Sequence, residues 1–115
     1  MTQYAALIYG ADNDWTHPQY ADTTAEYAAF AEAAGAVIRG GAALYPTSTA
    51  TSVRVSTKGG KPLTTDGPYA ETKEALTGFY LMECADLDEA VQLAARIPAA
   101  WAGAVEVRPV IDFGN

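Results

Sequence analysis

Residues 78–84 read Gly-Phe-Tyr-Leu-Met-Glu-Cys, and their spacing decides the fold. In an extended chain Phe79 and Leu81 point to one side, Tyr80 and Met82 to the other. A strand with one wet face alternates apolar and polar residues, whereas this one is apolar on both sides. It is therefore predicted to be central in its sheet and covered on both faces. Tyr4-Ala5-Ala6-Leu7-Ile8-Tyr9 has the same double character. Two such strands require two covers.

Helices supply one of them. Thr23 followed three residues later by Glu26 reads as a capping box, and Tyr27, Phe30, Ala31 and Ala34 fall at helical spacing ahead of Gly35. The small residues of that stripe predict close packing on a sheet. Asp86 with Glu89 opens a second helix, whose stripe of Leu87, Ala90, Val91, Ala94 and Ile97 is halted by Pro98.

Between the helices, residues 36–39 begin a strand that Gly40-Gly41 interrupts, with a bulge expected there, and Pro46 stops. Residues 52–57 alternate Val53 and Val55 with Ser and Arg54, and Lys58-Gly59-Gly60-Lys61 turns the chain into residues 62–65, a hairpin closed by Asp66-Gly67-Pro68. Residues 104–110 form the last strand, with Pro109 favouring an edge. The order strand, helix, strand, hairpin, strand, helix, strand predicts an α+β, ferredoxin-like antiparallel sheet with two helices on one face. Two helices shield only one side. A second copy of the same sheet is the simplest cover for the other, so a homodimer with face-to-face sheets is expected.

At 115 residues the chain suits one domain spanning 1–115, and a composition 50% apolar and 18% charged argues against disorder. Seven Lys plus Arg against fourteen Asp plus Glu give a net charge of -7, a field that repels phosphate backbones and anionic lipid, so no nucleic-acid or membrane partner is expected. No apolar run approaches the ~20 residues that span a bilayer, and the first ten residues lack a signal-peptide pattern. The single Cys84 and single His17 leave no intrachain disulfide and no zinc set. A cytoplasmic protein without metal or cofactor is the expectation.

The segment Asp66-Gly67-Pro68-Tyr69-Ala70-Glu71-Thr72-Lys73-Glu74 resembles the DGPF signature of the YCII-related protein family, with Tyr69 in place of the usual Phe. Thr49-Ala50-Thr51-Ser52-Val53-Arg54, Gly78-Phe79-Tyr80-Leu81, Asp86-Leu87-Asp88-Glu89-Ala90 and Val105-Glu106-Val107-Arg108-Pro109-Val110 resemble it in the same order. Residues 11–35 match least; where some relatives carry a helix His, this helix offers Tyr27. The resemblance implies a dimeric α/β barrel of ferredoxin-like subunits. On function it implies less: a few relatives act on small aromatic or chlorinated rings, and many are encoded beside sigma factors of the extracytoplasmic type.

Residues 66–74 gather three carboxylates, a Lys and a Tyr ahead of the apolar strand. Asp66-Gly67-Pro68 also suits a plain turn. In a cleft, Glu71 or Asp66 is the candidate base, Lys73 an anion anchor, and Tyr27 on the inner helix stripe a proton donor or orienter. Tyr69, Arg54 and His17 join Lys73 as candidate substrate-binding groups, although His17 beside Pro18 equally suits a solvated loop. Glu106 beside Arg108 suggests structural pairing, and Trp15 and Trp101 are expected at pocket or dimer edges. The glycine pairs form no phosphate-binding fingerprint, and no Ser lies in a nucleophile elbow. Two readings stay open: an enzyme-like protein performing cofactor-free isomerisation, dehydration or elimination on a small organic molecule, and a noncatalytic ligand-binding or regulatory module linked to a sigma-factor system.

Overall fold

The computed structural model describes residues 1–114. Four strands, β1 (Thr2–Gly10), β2 (Ile38–Ala43), β5 (Ala75–Cys84) and β6 (Ala104–Pro109), form an antiparallel sheet in the order β2-β5-β1-β6. Helix α1 (Ala21–Ala33) links β1 to β2, and α2 (Leu87–Ala94) with the short α3 (Ala99–Ala102) links β5 to β6. The remaining strands, β3 (Thr51–Arg54) and β4 (Leu63–Asp66), pair only with each other. The fold is α+β with an antiparallel sheet, and its strand order is that expected of a ferredoxin-like core.

The two doubly apolar strands lie side by side at the centre. Their register runs from Thr2 opposite Cys84 to Gly10 opposite Ala75, with an irregularity between Ile8 and Tyr9. Tyr4, Ala6, Ile8, Met82 and Cys84 point to the helices and are buried there with Phe30, Ala34, Ala90, Ala94 and Ile97. On the opposite face Leu7 pairs with Phe79 and Ala5 with Leu81, all four only half-buried. The Arg39–Glu83 pair, 3.1 Å apart, and Arg108–Glu106, 3.7 Å apart, sit in the strands of the same sheet with largely solvated side chains. Such exposed pairs contribute little stability.

Local signals fare unevenly. Asp86 caps α2 as expected, accepting from the Glu89 N–H at 2.9 Å, but α2 ends at Ala94, and Ile97 packs from the turn before α3 rather than from the helix. The Thr23/Glu26 capping box does not form. A 3-10 turn, Pro18–Tyr20, runs directly into α1, so the backbone supplies the cap: the Ala21 N–H bonds to the Pro18 carbonyl. The bulge expected at Gly40-Gly41 falls one residue earlier, between Ile38 and Gly40. The hairpin strands are shorter than the Val53/Val55 alternation implies, since pairing stops at Arg54 opposite Leu63 and leaves residues 55–62 as an open loop.

Gly78 marks a tight contact between β5 and β2, because a Cβ there would stand 2.6 Å from the Ala42 carbonyl oxygen. That atom belongs to backbone and cannot step aside. Gly78→Ala is expected to destabilise by about 1–3 kcal/mol through overpacking, read as a fall in Tm of about 4 °C or more; an unchanged Tm would show that the strands separate freely.

Candidate functional site

A cavity of about 280 Å³ opens where α1 faces the ends of β1, β2 and β5. Trp15, from the connection after β1, and Thr24 and Tyr27, from α1, form one side. Residues 77–80 of β5, Tyr80 among them, form another, and residues 41–43 of β2 a third. The volume suits a single ring with small substituents, near the lower end of ligand sites. A broader groove of about 500 Å³ between α2, α3 and β6 is walled by Leu87, Val91, Val105, Val107 and small residues, without one polar side chain to orient a ligand. The smaller cavity, with aromatic walls and four hydroxyls from Thr24, Tyr27, Thr77 and Tyr80, is therefore the better candidate.

Its aromatic walls are held from behind. Tyr80 stacks against buried Phe30, ring centroids 5.2 Å apart, which ties β5 to α1. Trp15 leans on Tyr20 at 4.9 Å. The connection carrying Trp15 is fastened by Asp12, whose carboxylate accepts from the Thr47 backbone N–H at 2.8 Å and from the Thr47 hydroxyl. These two bonds hold the Asp12 carboxyl below its ordinary pKa and join the loops after β1 and β2.

Burial pushes the phenols of Tyr27 and Tyr80 above their ordinary pKa; for Tyr27 the nearby Ala99 backbone N–H pulls in the opposite direction. Both remain protonated at neutral pH and can donate a hydrogen bond or a proton. Tyr27 is thus placed on the wall as the sequence indicated, as is Trp15 at the edge.

The other sequence candidates lie elsewhere. Asp66 ends β4 opposite Thr51, and Tyr69, Glu71 and Lys73 are exposed on the following loop; none lines this cavity within one chain. Arg54 rests over the Tyr69 ring, 5.3 Å from its centroid, a cation–π contact that binds the hairpin to the loop. His17 accepts from the Gln19 N–H at 3.2 Å through Nδ1, capping the 3-10 turn. Residues 66–74 thus form a turn leading into β5, with Gly67 at a φ of 104° that favours glycine and the Gly67 N–H on the Ala50 carbonyl at 2.8 Å. Sequence reasoning missed Thr24, Thr77 and Tyr80 as wall groups. Gly78, inside an otherwise bulky strand, signals a close backbone approach and not which side chains wall a cavity. Among the described residues no three His, Cys, Asp or Glu side chains converge as a metal site.

Because the phenols of Tyr27 and Tyr80 resist ionisation only in the folded protein, the native state holds their protons longer than the unfolded chain. Their contribution to stability is therefore expected to be level below about pH 10 and to fall as pH rises past it. Ultraviolet titration checks the same point: Tyr27→Phe and Tyr80→Phe should each remove one late-titrating phenol. Loss of an early step instead would mean that the walls are open to water.

Comparison with known proteins fits this fold. Over 71 residues the chain is 48% identical to an uncharacterized protein of Rhizobium meliloti (strain 1021), a match spanning 60% of this chain and 56% of that protein's length. Among solved structures it resembles the 5-chloro-2-hydroxyhydroquinone dehydrochlorinase of Burkholderia phenoliruptrix AC1100, solved in complex with 2,5-dihydroxybenzoquinone. That likeness has a TM-score of 0.54 at 16% identity and covers 95% of this chain and 93% of the other, so it is a likeness of fold. The model of the YCII-related domain matches residues 2–114, and the chain belongs to the YCII-related family.

Proposed function

We propose that this protein binds a small planar organic molecule in the cavity between α1 and the sheet and acts on it by cofactor-free acid–base chemistry, as an isomerase or lyase. The observation that carries the reading is the hollow itself: Trp15 and Tyr80 beside a ring-sized space, with the protonated Tyr27 phenol on its rim. Aromatic walls favour a flat ligand by offset or edge contacts. A phenol held neutral can protonate an enolate or a departing group. The fold neighbour's quinone ligand is of the same size and shape class, which supports the choice of probe.

In an elimination, a base takes a proton from carbon, the C–H electron pair becomes the new double bond, and the leaving group departs with its own pair, assisted by Tyr27. Glu71 or Asp66 is the proposed base, with Lys73, Tyr69, Arg54 and His17 as proposed substrate-binding groups, each needing a partner chain or a loop movement to reach the ring. The sheet face bearing Leu7, Phe79 and Leu81 supports a homodimer with face-to-face sheets, a barrel of two ferredoxin-like subunits. One observation favours a second reading, a noncatalytic ligand-binding or regulatory module: within one chain no carboxylate lines the cavity.

Titration with 2,5-dihydroxybenzoquinone, followed by assays with chlorinated hydroxyhydroquinones, separates the two readings. The enzyme reading expects binding, chloride release, and a ~10²- to 10⁴-fold loss of turnover in Glu71→Gln or Tyr27→Phe. Binding without release supports the module, and no binding by any small aromatic defeats both. Light scattering is expected to give twice the 12.1 kDa chain mass; a monomer would remove the barrel.

A further inference from the structure

The β3–β4 hairpin stands away from the rest of the chain. The radius of gyration is 16.0 Å, against about 13 Å for a compact chain of this length. Val53, Leu63 and Tyr69 on and beside the hairpin are 60%, 63% and 77% exposed, and Tyr45 at its root is 65% exposed. An isolated two-stranded hairpin is marginal in water, and one that exposes apolar side chains on both faces calls for a cover.

Charge identifies the cover. Residues 44–65 carry Arg54, Lys58 and Lys61 and no carboxylate, in a chain of net charge -7. Residues 11–32 carry Asp12, Asp14, Asp22, Glu26 and Glu32 and neither Lys nor Arg. This acidic segment contributes Trp15, Thr24 and Tyr27 to the cavity wall. The hairpin lines no part of its own chain's cavity, and that cavity has no charged group on its walls. One surface is cationic, apolar and uncovered, and the other is anionic and frames an incomplete site.

We propose that the hairpin of one copy lies across the acidic α1 side of a second copy and carries the Arg54–Tyr69 pair to the mouth of that copy's cavity, so that each site is built from two chains. This rests on the proposed homodimer and adds to it a reciprocal exchange of arms. Arg54, fixed on the Tyr69 ring, gives the site a cation for an anionic substituent on a bound ring. The contact is electrostatic at its rim and apolar at its centre, and salt should weaken it.

The test uses Trp15 as reporter in full-length protein carrying Trp101→Phe. An arm variant, Arg54→Glu/Lys58→Glu/Lys61→Glu, and a body variant, Asp22→Lys/Glu26→Lys, are each expected to show a several-fold rise in acrylamide quenching of Trp15 over the unreversed protein. Mixing the two variants restores charge matching only between chains, so the mixture is expected to recover both the dimer mass and the shielding of Trp15. Should a variant fail to fold, salt serves with the unreversed protein: raising it to about 1 M, where screening acts within about 3 Å, should expose Trp15 in the same way. A dimer whose Trp15 quenching ignores arm reversal and salt, or a mixture that recovers nothing, overturns the exchange while leaving the dimer standing. A monomer at every concentration overturns both.

Discussion

The antiparallel pairing of β1 with β5 is the constraint on which the other elements depend. Because both strands are apolar on both sides, their register decides at once which residues enter the helix-side core and which face the opposite way. A slip of one residue in either strand would turn its core set outward, bringing Leu81 in place of Met82 or Leu7 in place of Ala6 under the helices. The irregularity between Ile8 and Tyr9 comes where the helix side stops being solid and the cavity begins. Packing and site thus meet at one point of one ladder.

From that pairing the energetic division follows. The helix side is dominated by alanines, Phe30, Met82 and Ile97, with no buried polar or charged side chain among the described residues. Its stability is that of close contact between small surfaces rather than of large apolar volumes. Around the cavity the larger aromatics Trp15, Tyr27 and Tyr80 replace this small-residue packing. Tyr80 belongs to both regions, stacked on Phe30 and exposed to the hollow, and so couples the core to the site.

Much of the fold was legible because the decisive strands were long and doubly apolar, and because Asp86 with Glu89 is a strong helix start. The helix-one start was misread because Thr23 and Glu26 imitate a cap, while the backbone of the Pro18–Tyr20 turn does that work, a tertiary detail with no side-chain signature. Helix two was drawn too long because Ile97 keeps helical spacing after the helix has ended. The site was half legible. Tyr27 was found from its place on the inner stripe, but the density of charge in residues 66–74 drew attention to a loop that stands off the hollow within one chain. The walls come from separate elements, Trp15 after β1, Thr24 and Tyr27 on α1 and Tyr80 on β5, and sequence does not record which of them will face one another.

The sheet also has two outer strands, and each is spoiled as a template. In β2 the register shifts between Ile38 and Gly40, and Gly40-Gly41 offers almost no side-chain surface to an incoming strand. At the other margin Pro109 ends β6 opposite Tyr4 with no N–H to donate. Ladder growth by edge-to-edge addition is thereby discouraged at both margins. In the four-stranded sheet, association is thus steered to its faces rather than its margins.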